Sequence, residues 1–140
     1  MTKELIYRAG VIPYFIEDDE IKMLFMKPSK KKFGGAEFQI AKGKREEGEE
    51  DEDTAFREAR EELGLFSGNV SLRTDLGNFL GRTRVFLAKI EDPEKFGDPC
   101  EETGEVKWMT AKEFNKAGRS IHRPVVKAAV RKIKKLEKKK

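Results

Sequence analysis

The 140-residue sequence has one cysteine, one histidine and no apolar run approaching the roughly 20 residues that span a bilayer. Cys100 alone forms no internal disulfide and supplies no thiolate zinc cluster, which suits a reducing, cytoplasmic setting. Met1-Thr2-Lys3-Glu4 lacks the apolar stretch of a signal peptide, so neither secretion nor a membrane partner is expected. With His122 as the only histidine, Ser/His/Asp and Cys/His nucleophile schemes find little support, and a capping or surface role is expected of that residue. Apolar residues are scarce as well, at 37% against 40% charged. Ten phenylalanines among them still supply the bulk for a core, which excludes global disorder as the default. The length is that of one globular domain over residues 1–140, with a Lys-rich C-terminal end from about residue 134.

The net charge is only +4, but the two signs are segregated along the chain. Between Glu46 and Glu62 ten acidic residues meet two basic ones; between Lys127 and Lys140 eight basic residues meet one acid, Glu137. An acidic centre with a basic end suggests a cation site near a surface that tolerates polyanions.

β-rich runs at Leu5 to Ile16 and Ile21 to Met26, joined by Glu17-Asp18-Asp19-Glu20, read as paired strands. A Lys-rich loop from Pro28 to Gly35, a short strand from Glu37 to Ala41 and a charged loop from Gly43 to about Glu50 follow. Asp51 to Leu63 contains no Gly or Pro and sets Ala55, Phe56, Ala59 and Leu63 on one helical face, with Gly64 at the stop position. Two strands around Gly81, a loop from Glu91 to Gly104, a strand at Glu105 to Met109, a helix at Ala111 to Ala117 and a terminal helix from Pro124 to about Leu136 complete the chain. Strands interrupted by one helix and closed by another predict a mixed α/β sandwich.

Glu58, Glu61 and Glu62 fall at i, i+3 and i+4 of the first helix, so three carboxylates share one face. Their repulsion destabilises a bare helix, and Arg60 alone does not offset it. A divalent cation resolves the conflict. Oxygen ligands at this density suit Mg²⁺ or Mn²⁺, and Mg²⁺ held by carboxylates commonly completes its shell with waters and substrate phosphates. The face therefore points to phosphate chemistry.

The segment Gly43 to Leu65, GKREEGEEDEDTAFREAREELGL, resembles the signature of the Nudix hydrolase family, G-x5-E-x7-R-E-U-x-E-E-x-G-U with U a bulky aliphatic residue. Gly43, Glu49, Arg57-Glu58, Glu61-Glu62, Gly64 and Leu65 all stand in register, and Ala59 at the first U is the one departure. The resemblance implies an α/β/α sandwich around a mixed sheet and hydrolysis of a diphosphate linkage in a nucleoside diphosphate joined to another group. It implies Glu58, Glu61 and Glu62 as metal ligands helped by the Gly43 carbonyl, with Glu49 paired to an orienting Arg57. It also implies a further acid on a loop after the second strand pair, for which Glu102 is preferred over Glu105; either Glu58 or Glu102 serves as the base.

Among basic residues, Lys42 directly precedes the box glycine, and Arg8 is a further candidate for substrate phosphates, as are Lys27, Lys30, Lys31, Lys32 and Arg82. The Lys42-Gly43 pair is similar to family members acting on dinucleoside polyphosphates, diphosphoinositol phosphates or RNA 5′ ends. Phe38 either stacks a base or packs in the core. Cues for ADP-ribose and for dinucleoside polyphosphates both fail, since Asn78, Phe79 and Leu80 stand where a proline marks the first group and the only tyrosines are Tyr7 and Tyr14. Nucleoside or dinucleoside polyphosphates are favoured, with RNA 5′ ends or ADP-ribose and nucleotide sugars as alternatives. A non-catalytic RNA-binding module using the Lys-rich end is the reading from another class. The oligomeric state is left open.

Overall fold

The computed structural model describes residues 7–30 and 35–138. Its elements run β1 (Arg8–Glu17), β2 (Glu20–Pro28), β3 (Ala41–Lys44), α1 (Asp51–Leu63), β4 (Val70–Phe79), β5 (Thr83–Ile90), β6 (Thr103–Met109), α2 (Ala111–Ala117) and α3 (Arg123–Lys138). The expected strand start at Leu5, and Lys31, Lys32, Lys139 and Lys140, lie outside the described residues.

Five strands form the order β4-β5-β1-β2-β6, and β3 joins β1 off that path. β1 is parallel to β5 and antiparallel to β2 and β3, so the sheet is mixed. One edge of β1 serves two partners in turn. Arg8 to Val11 pair with Lys44 to Ala41, and Tyr14 to Glu17 pair with Met23 to Glu20.

Side chains alternate across a strand, so each strand feeds two cores. Ala9, Val11, Leu24, Met26, Phe86 and Ala88 meet Ala55, Ala59 and Leu63 of α1. Ile12, Tyr14, Met23, Phe25, Val85 and Leu87 meet Phe114 of α2 and Val125, Val126, Ala129 and Ile133 of α3. The result is an α/β/α sandwich. Ala59, the departure from the aliphatic pattern, is fully buried in the α1 layer.

Three expectations are corrected. The short strand expected at Glu37 to Ala41 instead begins at Ala41 and carries Lys42 and Gly43, which were expected at or in a loop. Phe38 and Gln39 make only single bridges, to Gly118 and Met26, before the chain moves over to β1. Lysines are compatible with this edge strand because their long apolar stems cover the sheet; Lys44 is exposed and Lys42 partly buried. The last helix continues to Lys138, so part of the Lys-rich end is helical. His122, expected at the surface or in a cap, is fully buried.

Candidate active site

α1 starts with three acids in its first turn, which suit the positive end of the helix dipole, and Asp53 accepts from the Glu50 N–H at 3.1 Å. Gly64 ends the helix in the left-handed conformation, with φ 75°. The loop after β5 then covers the last turn: the Gly97 N–H donates to Gly64 O at 2.7 Å and the Cys100 N–H to Glu61 O at 2.6 Å. The Thr103 hydroxyl donates to Glu62 O at 2.9 Å. These bonds satisfy carbonyls that a helix end leaves unpaired, and in doing so they deliver Glu102 to the helix. The Ser29 N–H anchors the same turn on Glu102 O at 2.8 Å.

Arg57 ties the loop before α1 to the helix. Its Nε and Nη2 donate to the Glu49 carboxylate at 2.8 and 3.1 Å, Nη1 to Glu58 at 2.9 Å and Nη2 to Lys44 O at 3.1 Å. Glu49 also accepts from the Glu46 N–H at 2.9 Å and the Thr54 hydroxyl at 2.8 Å. The Arg57 bonds lead in pulling the Glu49 carboxyl down to about 2, so it is ionised throughout the neutral range.

Glu58 and Glu62 are in the opposite condition. The Glu62 carboxylate accepts the Lys42 N–H at 2.9 Å on the edge of β3 that no strand covers among the described residues. Burial first, then the charge of Glu58, pushes its carboxyl up to about 8, and Glu102 adds to the effect. Glu58 is also raised, mainly by burial, although Arg57 opposes the shift. It lies against Gly43 so closely that a Cβ there would overlap its carboxylate. Glu102 thus presses on both buried carboxylates, whereas Glu105 sits on β6 opposite Lys27.

Glu61 is exposed and approaches Arg57 Nη1 at 3.6 Å, the same nitrogen that donates to Glu58 at 2.9 Å. Among the described residues no three Asp, Glu, His or Cys side chains stand together as a ready metal cage. The donor chemistry nevertheless fits a hard divalent cation. Two half-buried carboxylates raised by burial and by neighbouring negative charge, with a third acid beside them, form a donor set suited to a hard dication.

The opposite face of β3 is cationic. Lys42 is half-buried, and its ammonium is lowered by burial and then by Arg8 and Arg119, while Glu62 and Glu58 oppose the shift. Arg119 was missed by the sequence reading because nothing in its local spacing distinguishes it among 30 basic residues. Phe38 is 7% exposed within the core that packs against α3, and Lys27 lies 5.7 Å from its ring centre, so burial favours packing over base stacking.

A family model described as the NUDIX domain matches residues 6–129. The chain belongs to the Nudix hydrolase family. Among solved structures, a MutT/Nudix family protein from Listeria innocua is 19% identical, with TM-score 0.75, 99% of this chain covered and 100% of that one. An Ap4A hydrolase binary complex from C. elegans is 17% identical, with TM-score 0.74 and coverages of 92% and 98%. The Nudix domain of Shewanella oneidensis NrtR, complexed with ADP-ribose, is 13% identical, with TM-score 0.69 and coverages of 94% and 90%. These likenesses show the fold. Among curated proteins no match was found. The assignment makes the chain a Nudix-type pyrophosphatase, and no helix among its described residues is long and apolar enough to cross a membrane.

His122 holds the cationic side of the site in place. Its Nδ1 accepts the Ile40 N–H at 3.1 Å, two residues before Lys42. Burial, then Lys42 and Arg119, pushes its imidazole down to about 3. Because the folded value lies below the unfolded value near 6.5, this neutral imidazole contributes stability above pH ~6.5 that is lost as pH falls towards 3. The urea midpoint of His122→Asn relative to that of wild type is therefore expected to increase as pH falls from 7 to 5. Parallel profiles would show that burial does not hold the imidazole neutral. Glu62 acts in the opposite sense in both proteins and cancels in the comparison.

Proposed function

We propose that the chain is a divalent-cation-dependent pyrophosphohydrolase acting on nucleoside or dinucleoside polyphosphates, cutting a diphosphate linkage to leave two phosphorylated products. The observation that carries this reading is the division of charge around the uncovered edge of β3. The half-buried Glu58 and Glu62 lie on one side with Glu102, and Lys42 and Arg8 are gathered on the other. An Ap4A hydrolase and a Nudix domain complexed with ADP-ribose among structures of this fold support nucleotide-type substrates.

In this reading Glu58, Glu61 and Glu62 hold Mg²⁺ or Mn²⁺ with help from the Gly43 carbonyl. When bound, the cation supplies neutralisation of phosphate oxygens and acidification of water. Arg57, locked by Glu49, fixes the rotamer of Glu58. Lys42 and Arg8 bind and orient the phosphate chain. Glu102 takes the proton from the attacking water. It suits that role better than Glu58, since Arg57 engages Glu58 at 2.9 Å while Glu102 makes no ion pair among the described residues.

The deciding experiment is hydrolysis with Mg²⁺ of a panel of nucleotides, dinucleoside polyphosphates, nucleotide sugars and triphosphorylated RNA, with products resolved by mass. A preference for RNA would replace small polyphosphates as the substrate, and no hydrolysis of any member would remove the enzymatic reading. Glu102→Gln is expected to lower kcat by about 10²- to 10⁴-fold, the usual worth of a general base. Glu105→Gln should cost less than tenfold, and the reverse ranking would move the base to Glu105.

A further inference from the structure

Three cations meet at one place on the sheet without an acid of their own. In the β1–β3 register Arg8 lies opposite Lys44 and Gly10 opposite Lys42, so Arg8 and Lys42 project from the same face. Gly10 leaves the space in which Lys42 lies, since a Cβ there would come within 2.8 Å of the Lys42 Cβ. Arg119 reaches the same place from the other end of the sequence. Its N–H donates to Phe38 O at 2.8 Å, the Phe38 N–H donates to Ala117 O at 3.3 Å, and the Ile40 N–H donates to His122 at 3.1 Å. The segment from Ala117 to His122 is thus fastened along Phe38 to Ile40, immediately before Lys42.

Arg8 and Arg119 are the positive charges that bear on Lys42, and Lys42 and Arg119 those that bear on His122. Among the described residues Arg8, Lys42 and Arg119 make no ion pair; the negative charges that bear on Lys42 are Glu62 and Glu58, the carboxylates assigned above to the metal. Three unpaired cations at a half-buried place repel one another, and a polyanion removes that cost. His122 adds a polar group without a partner. It is fully buried, and its Nε2 has no hydrogen-bond partner among the described residues. The neutral imidazole adds no further positive charge.

We propose that Arg119 is a specificity-determining residue that binds the part of the phosphate chain lying beyond the cleaved linkage, selecting substrates with three or more consecutive phosphates. This rests on the hydrolase reading above. The cation and the carboxylate side accommodate the reacting diphosphate, and each additional phosphate brings about one further negative charge for Arg8, Lys42 and Arg119. Guanidinium suits this position because it binds two phosphate oxygens in one plane and remains charged when partly buried.

The test compares Arg119→Ala with wild type on diadenosine tetraphosphate and on ADP-ribose, together with binding of inorganic tripolyphosphate by calorimetry. Loss of kcat/KM is expected to be at least tenfold greater for the tetraphosphate than for ADP-ribose, carried by KM, with partial recovery in Arg119→Lys. Tripolyphosphate affinity should fall by about tenfold. An equal loss on both substrates, or a loss confined to kcat, would overturn the assignment, as would unchanged tripolyphosphate binding. If wild type hydrolysed nothing but bound tripolyphosphate through Arg119, the hydrolase reading would fail while the phosphate site stood. The Arg119 side chain makes no hydrogen bond or ion pair with the described residues, and equal melting temperatures would confirm that the variant folds.

Discussion

Glu62→Gln is expected to lower kcat by about 10³-fold or more at saturating Mg²⁺, with the fold intact. The carboxylate is held against the Lys42 N–H at 2.9 Å, and an amide oxygen can accept the same bond, so the geometry survives. What is lost is a negative charge that attracts the cation on which both water activation and phosphate neutralisation depend. The variant should also separate metal binding from stability. In the metal-free wild type the Glu62 carboxyl is pushed up to about 8, above its unfolded value near 4.5, so the folded state binds more protons than the unfolded state between those limits. Stability from this group is present below pH ~4.5 and is lost as pH rises through 8. Glu62→Gln should therefore melt higher than metal-free wild type at pH 8, with the gap closing towards pH 5, and should show a smaller rise in Tm on adding Mg²⁺. Activity within tenfold of wild type, or an unchanged Mg²⁺ response, would remove Glu62 from the ligand set.

Gly43→Ala is expected to reduce kcat by about 10²-fold or more while changing the melting temperature little. The added Cβ would overlap the Glu58 carboxylate, which is the end of a flexible side chain and can move aside. Relief is therefore cheap for the fold. It is costly for the site, because the movement takes Glu58 away from Arg57 Nη1 and from the place where its charge adds to that of Glu62. Measuring kcat, Mg²⁺ dependence and Tm on the same preparation distinguishes this from general damage. Full activity would show that Glu58 does its work from another rotamer. A loss of stability matching the loss of activity would show that the close approach serves packing alone.

Much of this site was legible before any coordinates, and the reason is helical geometry. A spacing of i, i+3 and i+4 puts Glu58, Glu61 and Glu62 on one face whatever surrounds the helix, and Gly43, Glu49, Arg57 and Gly64 stand at family spacings that a reader can count. The apolar spacing of α1 and α3 likewise announced helices packed on a sheet. Local pattern did not place β3, because strand pairing is a contract between distant segments and charged residues on an edge strand look like a loop.

Tertiary structure decided the rest. It brought Glu102 to α1 through bonds from Gly97, Cys100 and Thr103 to the carbonyls of the last helical turn, and turned Glu61 outward to Arg57. It buried His122 beneath the strand edge that a surface residue was expected to leave alone, and it drew Arg119 to Lys42 across 77 positions of sequence. The physical reason is that sequence spacing dictates which side chains share a face within one element. Burial, and the company of charges from other elements, sets their protonation and their chemistry, and both exist only once the sheet has closed.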